Sequence, residues 1–374
     1  MHGFFQNPGA SVSRLFEPLS FPRGPAMKNR FMLAPLTNSQ SHADGRLSDE
    51  EHHWLKLRAK GGFGATMTCA AHVQAVGQGF PGQLGIFGEQ HVQGLTDLAR
   101  TINGHDSLAI VQLHHAGNRS PKALVGQDPV CPSDDPSTGA RALSTAEVEA
   151  LGADFIAAAK RAELAGFQGV ELHGAHGYIL CQFLSPETNQ RTDRFGGSLA
   201  NRSRLIMDIL QGIRAVCRPD FNVGIRISPE RFGMQLGEIR VFAQQLIDSG
   251  LIDYLDLSLW DCFKLPEEEA YKSQPLISWF ADLDRKGVPV GVAGKIHNPA
   301  DAERALEHGA DFVLLGRVAI LHHDYPAQLL TNPGFMPRRP PVSRAYLANE
   351  GLSPTFINYM GNWKGFVEAE ASAG

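Results

Sequence analysis

Residues 165–178 read Ala165-Gly166-Phe167-Gln168-Gly169-Val170-Glu171-Leu172-His173-Gly174-Ala175-His176-Gly177-Tyr178. They follow an amphipathic run that starts near Ser144. Gly166 suits the left-handed position that closes a helix. The apolar run after it suits a short strand buried on both faces. The same grammar recurs where Gly250, Gly287 and Gly309 precede Tyr254–Leu259, Val288–Val292 and Phe312–Leu315. Helices alternating with such strands predict a parallel sheet built from βα units.

Working outward gives eight expected strands: Phe31–Leu36, Ala65–Ala71, Ser107–His114, Gln168–His173, Asn222–Ser228, Asp253–Leu259, Val288–Ala293 and Asp311–Gly316. Eight are what a closed (β/α)8 TIM barrel needs. Ser48 with Glu51, and Ser144 with Glu147, are spaced as capping boxes, and Asn298-Pro299 reads as an N-cap followed by proline. An open doubly wound sheet is the alternative, but Phe31–Thr37 carries no G-x-G-x-x-G. The expectation is therefore an α/β chain with one domain over residues 1–374. Its barrel spans about residues 30–331, with an N-terminal lead-in and a C-terminal extension over about residues 343–374. The connections after His114 and after His173 are too long to be plain joins, and a barrel places such loops at its catalytic face.

Composition narrows the partners. A formal charge of −5 with 43% hydrophobic residues describes an ordinary globular chain and gives no reason to expect nucleic acid or an anionic membrane. Five scattered cysteines with no C-x2-C pair offer no zinc or iron–sulfur ligand set and read as buried thiols in a reducing compartment. No run of 18 apolar residues occurs, so a cytoplasmic protein is expected.

Polar groups gather at the strand ends: Thr37, His72, Gln112, His114, His173, His176, Arg226, Ser228, Ser258, Lys295 and Arg317. Core packing does not require that coincidence. Gly294-Lys295 and Gly316-Arg317 close the last two strands, where barrels commonly bind phosphate, and an arginine there can grip two oxygens. His173-x-x-His176, with His114-His115, is open to two readings. It is either a metal site, though supporting carboxylates are missing from the strand ends, or a pair of hydrogen-bond donors to an oxyanion. Tyr178 then offers a phenol as proton donor.

At these residues the chain resembles the old yellow enzyme family of flavin-dependent ene-reductases. The likeness is carried by Val170-Glu-Leu-His173-Gly-Ala-His176-Gly-Tyr178 and continues through Phe183-Leu-Ser-Pro186, Asn189, Arg191-Thr-Asp193, Phe195-Gly-Gly-Ser198 and Asn201-Arg202. Lys28-Asn-Arg30, Gln112, His115-Ala-Gly117 and Gly309-Ala-Asp311 support it.

The resemblance implies non-covalent FMN at the barrel mouth, NADPH or NADH as electron donor, and a small-molecule substrate, with a homo-oligomer possible in principle. By that likeness Ala34, Pro35 and Thr37 border the flavin ring, Ala70 and Gln112 meet its pyrimidine edge, and Arg226 sits near N1. Gly294, Gly316 and Arg317 hold the phosphate. His173 and His176 bind the activating carbonyl oxygen and Tyr178 gives the proton, so that an α,β-unsaturated carbonyl compound is reduced at its C=C bond. Oxidative demethylation and nitro or nitrate-ester reduction are alternatives on the same scaffold, and a metal-dependent barrel hydrolase is a remote one. Ser39 stands where many relatives have a tyrosine nearby, which leaves one side of the substrate pocket undefined.

Overall fold

The computed structural model describes residues 12–369 except residue 333; the first part of the expected lead-in lies outside the described residues. Eight parallel strands close a barrel. They are β1 (Phe31–Leu33), β2 (Ala65–His72), β3 (Leu108–His114), β4 (Gly169–Gly174), β5 (Asn222–Ile227), β6 (Tyr254–Ser258), β7 (Val290–Ala293) and β8 (Phe312–Leu315). Each pairs with its neighbours in chain order, and β1 closes on β8 through Phe31↔Val313 to Leu33↔Leu315. All eight expected strands are present, some shorter. β7 starts two residues late because the Val288 N–H is spent in a turn on Arg285 O at 2.7 Å, Pro289 has no N–H, and the Val290 N–H goes to the Asp311 carboxylate at 2.9 Å.

Period-two alternation divides every strand between two cores. Phe31, Leu33, Ala109, Val111, Leu255, Leu257, Val313 and Leu315 face outward to the helices. Met32, Ala65, Met67, Leu108, Ile110, Tyr254, Phe312 and Leu314 fill the barrel interior. Two glycines make room for the aromatics there. A Cβ on Gly224 would lie 1.9 Å from the Tyr254 ring, and one on Gly291 would lie 2.3 Å from the Phe312 ring. Below them the lead-in folds back on itself through mutual Leu19–Met27 backbone bonds of 2.9 Å, and both side chains pack into the floor of the barrel.

The strand alternation has one interruption. The register of β2 against β3 shifts between Met67 and Ala70. Met67 faces inward, Cys69 and Ala71 join the outer core, and Ala70 returns to the inner face at the mouth. An extra residue in one strand has this effect on parity.

The helix signals hold with one correction. Ser144 and Glu147 form the reciprocal capping box, and Asn298 caps the helix Pro299–Glu307. Ser48 accepts from Glu51 N–H, but the Glu51 side chain does not return the bond. It is fully buried and accepts instead from Asn38 Nδ2 at 3.0 Å and from Ser41 Oγ, tying the strand-one loop to the helix Asp49–Lys60. All five cysteines are buried and free, and no helix among the described residues is long and apolar enough to cross a membrane.

Replacing Gly224 by alanine overpacks the interior against Tyr254. The expected result is a loss of about 1–3 kcal/mol in chemical denaturation, with Gly361→Ala, whose Cβ would meet nothing within 4 Å and whose backbone is not left-handed, as a control for glycine replacement outside the barrel.

Candidate active site

The C-terminal ends of the strands surround two adjoining cavities of about 220 and 200 Å³. Ala34, Pro35, Arg226, Gly294, Gly316 and Arg317 line the first. Thr37, Ala70, Gln112, His173, His176 and Tyr178 line the second, which also reaches Pro35 and Arg226. The residues singled out in the sequence thus come together at one mouth. The structure adds others. Phe80, from the loop after β2, stands on the second cavity, whereas Ser39 lines neither. The C-terminal extension folds over its own barrel, bringing Tyr359, Met360 and Trp363 to the second cavity and Trp363 to the first. The sequence signal for this was the aromatic run before Trp363, but nothing in it told which surface the run would cover.

The histidines form a chain. His114 Nδ1 lies 2.9 Å from His173 Nδ1, His173 Nε2 lies 2.8 Å from His176 Nδ1, and His176 Nε2 lies 2.6 Å from Ser258 Oγ. Arg226 Nη2 donates to the same hydroxyl at 3.2 Å. Burial, reinforced by neighbouring positive charge, holds His114 and His173 well below the ordinary imidazole range and His176 down at about 3. Three neutral imidazoles carry one N–H each. Two are consumed between the rings, so the third is at an end of the chain, on His114 or on His176. Both nitrogens of His173 are engaged in this state. Tyr178 packs edge-to-face with His114 at 4.4 Å between ring centroids, and the Arg119 guanidinium lies over the Tyr178 ring at 4.6 Å.

Beneath the histidines lies a polar layer that the sequence did not reveal. Register places Gln112 beside Glu171 and places Arg226 between His173 and Asp256. Gln112 Nε2 donates to Glu171 Oε1 at 2.8 Å, and Arg226 Nε lies 3.0 Å from Asp256 Oδ2. Glu171, Asp256 and Tyr254 have no solvent exposure. Burial raises the Glu171 carboxyl, and repulsion from Asp256 adds to it. Asp256 is raised by burial and held back by Arg226. The arrangement favours a protonated Glu171 beside an ionised Asp256–Arg226 pair.

The long signature segment after Tyr178 acts differently from the histidines. Asn189 donates to the carbonyls of Phe183 and Phe195 at 2.7 and 2.8 Å, and Arg202 pairs with Glu238 at 2.9 Å. Arg191 bonds to Asp193 and to Pro132 O. These residues fix the loop; none lines either cavity.

The residues present fit FMN. Arg317 is partly buried, with a pKa lowered by desolvation, yet has no hydrogen-bond or ion-pair partner among the described residues. Such a guanidinium needs an anion. Beside it the chain passes through Gly316 and Gly294, where an added Cβ would approach Leu36 Cδ2 at 3.3 Å and Cys262 N at 3.0 Å. Gln112 Oε1 has no hydrogen-bond partner among the described residues, which leaves an acceptor at the cavity edge. The metal reading fares less well. The imidazole nitrogens bond to one another instead of converging, and the group of ligand atoms that does converge among the described residues is His323, Asp324 and Glu350.

A closed parallel barrel with an anion-seeking arginine and a histidine–tyrosine set at its mouth defines a flavin-binding oxidoreductase scaffold. Comparison with known proteins agrees. A profile of the NADH:flavin oxidoreductase / NADH oxidase family matches residues 14–332. The probable NADH-dependent flavin oxidoreductase YqiG of Bacillus subtilis is 36% identical over 326 residues, covering 84% of this chain and 87% of that protein. The NADH:fumarate oxidoreductase of Klebsiella pneumoniae is 34% identical, over 85% of this chain but 36% of that protein, so the chain spans about a third of that relative. The solved old yellow enzyme homologue of Zymomonas mobilis superposes with a TM-score of 0.76 at 26% identity, over 92% of this chain and 99% of that one. The chain belongs to the NADH:flavin oxidoreductase family of old yellow enzyme type, whose cofactors are FMN and a nicotinamide nucleotide.

Two measurements test the site. Arg317→Ala should weaken FMN binding roughly 10- to 100-fold, the size of a lost charged hydrogen bond, read by flavin fluorescence on titrating the apoprotein. Glu171 should lower stability as pH rises. Its folded pKa is raised, so above the ordinary carboxyl value the unfolded chain releases a proton that the fold retains. The melting temperature of the wild type should therefore fall relative to Glu171→Gln between pH 5 and pH 8; parallel curves would contradict the assignment.

Proposed function

We propose that this protein uses NADH or NADPH to reduce the activated C=C bond of an α,β-unsaturated carbonyl compound. The observation that supports this best is the set of His173, His176 and Tyr178 on one cavity wall with Arg226 at its base. FMN, when bound, supplies the hydride. Arg317, with the backbone at Gly294 and Gly316, would hold its phosphate. Thr37, Ala70 and Gln112 would take its polar edge, with Ala34 and Pro35 against the ring. Arg226 would bring positive charge to that edge, held in place by Asp256 and Ser258.

The substrate half follows from the histidine chain. A carbonyl oxygen needs an N–H from each histidine, but the facing nitrogens now share one proton. Binding must therefore part His173 from His176. Ser258 is placed to take up the change, because its hydroxyl can accept from His176 Nε2 or donate to it. Once donated, the two bonds draw electron density from the alkene and stabilise the oxyanion as hydride adds. Tyr178 then protonates the α-carbon, and Phe80, Tyr359 and Trp363 exclude water from that transfer.

The holoenzyme should be yellow, bleach on anaerobic addition of NADH or NADPH, and recover colour on adding 2-cyclohexenone. Tyr178→Phe should slow the oxidative half-reaction by about 10²–10⁴ while leaving flavin reduction fast. Recovery with nitrate esters but not with enones, or bleaching of the oxidised holoenzyme by N-methylated amines alone, would favour the other chemistries of the scaffold.

A further inference from the structure

A third cavity, of about 430 Å³, opens outward from His176 and Tyr178 between the loops after β5 and β6. We propose that it receives a carboxylate carried by the substrate at a distance from its alkene, a proposal that rests on the ene-reductase reading and specifies the substrate class.

The charge balance of this cavity is uneven. Its one carboxylate, Glu230, is buried and already neutralised, with Lys264 Nζ 2.8 Å away and Glu267 N–H donating to it. Lys264 is further occupied by Glu267 at 3.0 Å. Arg119 and Arg231 line the same cavity and have no carboxylate partner among the described residues. Arg119 is fixed by stacking on Tyr178 and by a 2.8 Å bond from Nη1 to His176 O. Arg231 lies over the Trp260 ring at 4.9 Å and the Phe232 ring at 5.7 Å. A guanidinium held through its flat face keeps its edge donors free for two oxygens.

The backbone is committed to this arrangement. Arg231, Phe232 and Trp260 all have positive φ, at 67°, 54° and 58°. Left-handed residues other than glycine are strained and cluster at ligand-binding sites. With His176, at 62°, four such residues line one cavity, and the three from the loops turn an arginine and two aromatic rings, both exposed, toward the opening. Flat apolar walls with a cation above them suit a rigid unsaturated or aromatic acid, its carbonyl at the histidines and its carboxylate at Arg231. Nothing in the polar inventory of the cavity compensates two cations otherwise.

The test uses the oxidised holoenzyme and a matched pair, 4-carboxycinnamaldehyde and its methyl ester, titrated against the flavin absorbance. The acid should bind roughly tenfold or more tightly than the ester, the low end expected of a charge-assisted bond at an exposed arginine. Added salt should weaken the acid alone. The acid-to-ester ratio should fall to about one in Arg231→Gln and be largely restored in Arg231→Lys. A ratio near one in the wild type overturns the proposal, as does a ratio unchanged in Arg231→Gln. The diphosphate of the nicotinamide donor is the other anion that visits this mouth. If Arg231 serves that group instead, Arg231→Gln slows flavin bleaching and the wild-type ratio stays near one, which also overturns it. Turnover is read separately: failure to reduce either compound counts against the ene-reductase reading, while the binding ratio still decides the carboxylate site.

Discussion

Parallel pairing of eight strands imposes one rule on this chain: at any given level of the barrel, each strand has one face to spend inside. The interior spends its lower levels on Tyr254, Phe312 and aliphatic side chains and its upper levels on groups that bond. Gly224, Arg226 and Tyr254, Asp256, Ser258 show the change along single strands, each step of two residues rising one level. The apolar floor makes the layer above it dry. Dryness in turn decides the protonation of everything at the mouth.

That dryness explains why an arginine is buried here at all. Arg226 meets Asp256 below and Ser258 above, so its charge is neutralised from one side and directed to the other. Glu171, one strand away, has no cation of its own and is the member kept protonated. The histidines above, surrounded by low-dielectric packing and positive neighbours, stay neutral. A neutral imidazole donates without bringing a full charge into the pocket, which suits stabilising charge that appears only during reaction.

Much of this was legible in the sequence because it follows from local pattern. Glycine after a helix and a short apolar run located four of the strands, similar apolar runs upstream and between them supplied the other four, and the polar residue ending each run located the mouth. What was hidden depends on register or on distant chain. The slip between Met67 and Ala70 leaves no mark in the residues themselves, yet it decides that Ala70 faces in. The Glu51 carboxylate looked like the second half of a capping box because spacing alone is satisfied by that motif; burial against Asn38 and Ser41 gave it better partners. His114 read as one of two adjacent histidines, and only the pairing of β3 with β4 set it against His173. Tyr359 and Trp363 sit almost three hundred residues or more from most of the groups they cover at the start of the barrel, beyond the reach of any periodicity.

The folded-back tail has a temporal consequence. The pocket wall begins at Ala34 and is finished by Trp363. During synthesis the barrel strands, Arg317 and the histidine chain all leave the ribosome before the residues that roof them. The open cradle is therefore laid down before its roof, and the docking of Tyr359, Met360 and Trp363 is what shuts it.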